Sequence, residues 1–88
     1  MVVPPDNAAM RTFAADSYAA LGDGYGELAR RSAPSDRPAL QQRARDMYKR
    51  SVDIWADLGR RNIIAASDAA KPAAAAQALA KAEALRPR

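Results

Sequence analysis

The stretches YAALGDGY (residues 18–25) and ARDMYKRS (residues 44–51) decide the fold of this chain. Each places aromatic and small residues three or four positions apart, which is the spacing of one face of a helix. Gly22, Ala44 and Ser51 allow two helix backbones to approach closely, and the aromatic rings fill the space beside them. The two stretches therefore predict a pair of packed helices, which is a packing unit and not a catalytic one.

The composition of the 88-residue chain excludes several classes of site. Cysteine and histidine are absent, which excludes disulfides, the usual zinc sites, and Ser-His-Asp or Cys-His catalysis. No apolar run reaches the ~18 residues that a membrane span needs. The first six residues lack the basic and long apolar regions of a signal peptide. We therefore expect a cytoplasmic protein that is not an enzyme and holds no cofactor or metal.

The net charge of +4 has two interpretations. A basic surface could bind nucleic acid or an anionic membrane. We favour solvated helix faces, because the basic residues alternate with Asp and Glu and form no continuous stripe. The doublets Arg30-Arg31 and Arg60-Arg61 lie near predicted helix ends, where cations suit the helix dipole. A small basic nucleic-acid-binding or regulatory protein stays the alternative function, and no membrane partner is expected.

The apolar spacing predicts three helices, of which the first follows Pro4-Pro5 and ends near Arg31. Asp6 or Asn7 is expected to cap it. Its apolar positions keep their phase across residues 22–26, so we predict one continuous helix, although a turn at Gly22-Asp23-Gly24 is the alternative.

The second helix is expected to begin near Pro38 and to end at Gly59, which would serve as its C′ residue. Ser35 or Asp36 can cap its start. A third helix is expected from Ala73 to about residue 85. The predicted organisation is a linker from a preceding segment (1–7), a helical hairpin (8–59), a connecting loop (60–72) and a C-terminal capping helix (73–88).

With the helices placed, the spacing resembles the tetratricopeptide repeat. That family places aromatic-x2-Leu-Gly-x2-Tyr on its first helix and Ala-x3-aromatic on its second. The matching residues here are Tyr18, Leu21, Gly22 and Tyr25, then Ala44 and Tyr48, with Ser51 at a commonly small position. The chain departs from the family by about ten additional residues between the two halves of the motif. It also has Gly59 where a proline is expected.

The resemblance implies an all-α fold, made of a tetratricopeptide-like antiparallel hairpin and a C-terminal capping helix. It implies a non-catalytic scaffold that binds a protein or peptide, as the last repeat of a larger protein. The run Tyr48-x-x-Ser51-x-x-Ile54-Trp55 also resembles the C-terminal arrays of bacterial eukaryote-like serine/threonine kinases. Homodimerisation, or packing on preceding repeats, is expected through the side around Met10, Phe13 and Val2-Val3.

Two sets of residues follow from this interpretation. In the family the first helix lines a concave groove, so the partner-facing residues implied here are Asp16, Ala19, Asp23 and Glu27. A solvated acidic face is the alternative, and a paired-carboxylate acid/base site is disfavoured because nothing nearby in sequence would raise one pKa. The residues expected to be buried together between the first two helices are Tyr18, Leu21, Tyr25, Tyr48 and Trp55.

Overall fold

The computed structural model describes residues 8–84. Its α-helices are α1 (Ala8–Arg31), α2 (Arg37–Arg60) and α3 (Lys71–Ala84), and a single 3-10 turn, Ala66–Asp68, precedes α3. No strand occurs in this part of the chain, so the predicted all-α class with three helices is confirmed. The expected cap at Asp6 or Asn7, the linker 1–7 and the predicted helix end near residue 85 lie outside the described residues.

α1 and α2 form an antiparallel hairpin. Hydrogen bonds between them join residues whose separation in sequence shrinks toward the loop, which is the signature of antiparallel pairing. These bonds join Ser51 Oγ to Ala15 O at 2.8 Å, Tyr48 Oη to Asp23 Oδ1 at 2.5 Å, and Arg37 Nε to Ala29 O at 3.2 Å. The last of them places a cation on the carbonyls at the C-terminal end of α1, where the helix dipole favours it.

Buried residues at seven-residue intervals, most of them small, form the contact between these two helices. On α1 the buried positions are Ala15, Gly22 and Ala29. On α2 the set Ala44, Ser51 and Leu58 recurs at the same interval. An ideal Cβ on Gly22 would lie 2.6 Å from Cε1 of Tyr48, so the ring occupies the space that any larger residue would need. The expectation that Gly22 serves close approach is confirmed.

The first two helices are long, and the segment that joins them is short. α1 and α2 have 24 residues each, and only residues 32–36 separate them. α1 runs without interruption through its three glycines, none of which has a positive φ. The continuous helix is therefore confirmed, and the turn at Gly22-Asp23-Gly24 is wrong.

The predicted end of α2 at Gly59 is wrong, because Asn62 makes the stop. Asn62 has a positive φ of 56°, which asparagine tolerates better than most residues. Its amide donates to Gly59 O at 3.0 Å, and the Ile63 amide donates to Leu58 O at 3.1 Å. These are the two bonds of a Schellman motif with asparagine at C′. At the other end, Asp36 is the N-cap but makes no side-chain capping bond.

α3 completes the core by packing on α2. Its Ala75 joins Ala15, Trp55 and Leu58 in one buried cluster. At the start of α3, Lys71 Nζ lies 2.9 Å from Asp16 Oδ2 of α1 and 3.1 Å from Asp68 Oδ1. Near its other end, Ala82 lines the same depression as Asp23 and Tyr48. α3 therefore runs parallel to α1 and antiparallel to α2.

The expected burial of the aromatic and leucine set is only partly correct. Trp55 is buried and Tyr48 is half-buried. Tyr18 and Tyr25 are also half-buried, whereas Leu21 is 49 % exposed and the prediction of its burial is wrong. The physical reason is that the small residues of α1, and not its large ones, face α2. The large residues are left on the outer side of the helix.

Replacing Gly22 with alanine should destabilise the protein. The new methyl would overlap the Tyr48 ring, and overpacking costs about 1–3 kcal/mol. This exceeds the ~1 kcal/mol that alanine gains over glycine inside a helix. Gly24→Ala and Gly26→Ala are matched controls, because a Cβ at either position would meet nothing within 4 Å. Urea unfolding should show a lower midpoint for Gly22→Ala and equal or higher midpoints for the controls. A stabilised Gly22→Ala would contradict the close contact.

Leu58→Ala should destabilise the protein far more than Leu21→Ala. Leu58 is fully buried in the core cluster, and truncating such a leucine costs about 2–5 kcal/mol. Leu21 is half-exposed, so its truncation should cost less than about 1 kcal/mol. Thermal unfolding of both variants gives the comparison. Equal losses would show that Leu21 lies in the core.

Candidate partner-binding groove

An open groove runs along α1. Its larger part lies between α1 and α2 and reaches Ala82 of α3, its smaller part lies between α1 and α3, and Tyr48 of α2 lines both. Its larger part has a volume of about 880 Å³ and its smaller part about 340 Å³. Four residues line both parts, so we treat them as one site and call it the α1–α3 groove; the shared residues are Asp23, Gly26, Tyr48 and Ala82. The larger part extends toward the α1–α2 loop, where Arg37 and Gln41 line it.

A hydrogen bond between Tyr48 and Asp23 fixes the floor of the groove. The Tyr48 hydroxyl donates to Asp23 Oδ1 at 2.5 Å. Burial raises the pKa of Tyr48 well above its ordinary value, and the Asp23 carboxylate raises it further by accepting the bond and by its charge. Arg30 acts in the opposite direction. Tyr48 therefore stays neutral at physiological pH, and its hydroxyl holds the Asp23 carboxylate in place.

Glu27 lines the groove but is already paired. Its carboxylate accepts from Arg31 Nε at 3.0 Å and also pairs with Arg30. Both pairs lie on the exposed side of α1, and such surface pairs contribute little to stability. They do cancel the charge of Glu27. The groove wall is therefore less acidic than a count of its carboxylates suggests.

The other two expected partner-facing residues lie elsewhere. Asp16 is in the contact between α1 and α3, where Lys71 donates to it. Bonds to Asp16 and then Asp68 raise the pKa of Lys71, so the ammonium is charged throughout the physiological range. Ala19 is half-buried and is not among the residues that line the groove. The structure therefore brings Asp23 and Glu27 to one site and separates Asp16 and Ala19 from it.

Three polar residues that sequence reasoning missed complete the site. Gln41 of α2 and Gln77 and Lys81 of α3 line the groove. None of these three side chains has a hydrogen-bond or ion-pair partner within residues 8–84. The helical spacing predicted the third helix itself. The sequence could not predict that these residues share a groove with Asp23, because this depends on how α3 packs.

Arg45 is a further residue that sequence analysis did not identify. It is 7 % exposed, and its Nη2 donates to Gln42 Oε1 at 2.7 Å. Its Nε and Nη1 atoms are buried without a hydrogen-bond partner, which is costly for a guanidinium. Arg45 does not line the groove, so we assign it no role there.

Within residues 8–84, no group of three or more acidic side chains could hold a metal ion. No helix in the same part of the chain is both long and apolar enough to span a bilayer. No family model, no curated protein and no solved structure matches the chain. Function must therefore be inferred from the groove and from the surfaces around it.

The stability of the protein should fall above pH ~10 because of Tyr48. In the unfolded chain a tyrosine ionises near pH 10, whereas the pKa of Tyr48 in the folded chain is higher. The stabilisation is thus complete below pH ~10 and decreases as the pH rises further. Tyr48→Phe lacks this ionisation and serves as the control. The urea midpoint of the wild type should exceed that of Tyr48→Phe by a smaller margin at about pH 11 than at about pH 8. A constant difference between the two proteins would contradict the raised pKa.

Proposed function

We propose that this chain is a non-catalytic protein–protein interaction module of the tetratricopeptide type, which binds a peptide segment of a partner in the α1–α3 groove. The observation that carries the proposal is the groove itself. It is open, it combines apolar and polar walls, and its floor is held by the Tyr48–Asp23 bond.

The order of the helices supports this proposal. α3 follows α2 in the antiparallel sense and lies beside α1, as the first helix of a further pair would. The resemblance places the ligand groove on the side formed by such first helices. The smaller part of the groove lies between α1 and α3 and is lined by Asp23, whereas Glu27 lines only the larger part, beside α2.

The groove chemistry suits a neutral or mixed-charge peptide. Both carboxylates on its α1 wall are engaged, Asp23 by Tyr48 and Glu27 by two arginines. The polar groups that remain for a ligand are the amides of Gln41 and Gln77 and the ammonium of Lys81. Amides pair with the backbone N–H and C=O groups of an extended segment, and alanines on the α3 wall leave room for its side chains.

Nucleic-acid binding is the alternative, and pairing of the basic residues weakens it. Asp57 lies within 3.5 Å of arginine nitrogens from three residues, and Glu27 pairs with two more. Arginines held by carboxylates are poor ligands for phosphates, because the existing pairs must first be broken. The kinase context of the parent protein stays a prediction from the narrower resemblance.

A groove-filling variant tests the proposal. A displayed library of random peptides should yield binders whose addition shifts the NMR signals of Gln41, Gln77 and Lys81. Gly26→Leu should abolish their binding without loss of stability, because its side chain enters open space in the groove. Ala20→Leu, at a position of α1 that does not line the groove, is the control and should bind normally.

Two results would contradict this function. The first is equal binding of the selected peptides to the Gly26→Leu variant and to the wild type, which would place their site outside the groove. Alternatively, the library could yield no binder while the chain binds DNA with the steep salt dependence of phosphate contacts. That second result would favour the nucleic-acid alternative.

A further inference from the structure

The side of α1 that faces neither α2 nor α3 is apolar along most of its length. Phe13 is 74 % exposed, Leu21 49 % and Leu28 50 %. A depression of about 570 Å³ follows this side and is lined by Ser17, Ala20, Leu21, Gly24, Tyr25 and Leu28. We call these six residues together with Phe13 the α1 apolar face. It is distinct from the α1–α3 groove, and only Gly24 borders both.

The shape of the α1 apolar face suits a helix. Ser17, Ala20 and Gly24 are small and form a shallow channel, which is bounded by the larger Leu21, Tyr25 and Leu28. Channels of this kind accept the side-chain ridge of a second helix, and small residues let the two backbones approach. A lipid surface offers no ridge to fill such a channel.

One arginine of α2 contacts an aromatic ring of α1 next to this face, and the helix register predicts a second arginine beside it. The Arg50 guanidinium carbon lies 5.6 Å from the centroid of the Tyr18 ring. Tyr25 follows Tyr18 by seven residues and Arg43 precedes Arg50 by seven, so the antiparallel register predicts that Arg43 lies near Tyr25. Neither arginine has a carboxylate partner within residues 8–84.

The carboxylates of α1 cannot supply that partner from a second copy. All three are engaged: Asp16 by Lys71, Asp23 by Tyr48, and Glu27 by Arg30 and Arg31. Two copies joined through α1 would therefore bury apolar surface without presenting a free α1 carboxylate to the α2 arginines. We infer that the α1 apolar face, with Arg43 and Arg50, docks an amphipathic helix of another protein whose apolar ridge is flanked by Asp and Glu.

Two synthetic helical peptides of about 18 residues test this inference. Both carry the same leucine ridge, one flanked by glutamate and the other by lysine. Fluorescence anisotropy with the full chain should give about tenfold tighter binding of the glutamate peptide at low salt. The difference should shrink in high salt, because screening weakens interactions between exposed charges.

Matched variants locate the site. Arg43→Gln/Arg50→Gln should weaken binding of the glutamate peptide about three- to tenfold. Lys49→Glu changes the net charge by the same amount from an exposed position next to Arg50 and should leave binding within about twofold. Leu21→Ser should weaken both peptides about tenfold. Gly26→Leu should have no effect, which separates this surface from the groove.

Three outcomes would overturn the inference. The first is equal affinity for the two peptides, or an equal loss of affinity for the glutamate peptide in Lys49→Glu and in Arg43→Gln/Arg50→Gln. The second is no binding of either peptide together with a dimer in sedimentation that Leu21→Ser dissociates, which would make a second copy the occupant. The third is no peptide binding together with retention on phosphatidylserine vesicles, which would make a membrane surface the occupant.

Discussion

The contact between Gly22 and the Tyr48 ring is the constraint on which the rest of this structure depends. It is possible only because α1 has no side chain at that position. The ring fills the space and brings its hydroxyl to Asp23, one residue further along α1. One turn from Tyr48 along α2, Ser51 repeats this arrangement on a smaller scale, with its buried hydroxyl bonded to Ala15 O. The two helices are thus held by small residues and hydrogen bonds more than by large apolar side chains.

This mode of packing explains both candidate binding surfaces. Because small residues of α1 face α2, its large apolar residues remain outside and form the α1 apolar face. Because Tyr48 is drawn toward Asp23, its ring becomes the floor between α1 and α3. The ion pair between Lys71 and Asp16 joins the start of α3 to α1. The alanine-rich remainder of α3 leaves the groove open. The surfaces are consequences of one helix contact.

Sequence alone predicted the helices, the continuity of α1 and the role of Gly22, because helical spacing and residue size are local properties. It misplaced Leu21, because a stripe of large apolar residues is usually the buried side of a helix. Here a neighbouring stripe of alanine and glycine forms the buried side of α1, and a search for large apolar residues does not detect it. It also placed the stop of α2 at Gly59, since glycine is the commoner C′ residue, whereas Asn62 adopts the left-handed conformation. Gln77 and Lys81 could not be assigned to the groove, because the position of α3 depends on long-range packing.

The most direct test of this account is the nuclear Overhauser spectrum of the folded chain. Strong cross-peaks are expected between the Hα protons of Gly22 and the ring protons of Tyr48, and none from the Hα protons of Gly24 to that ring. The absence of the Gly22 cross-peaks from a well-folded chain would contradict it. That result would mean that α1 and α2 meet through other faces, and both proposed surfaces would lose their basis.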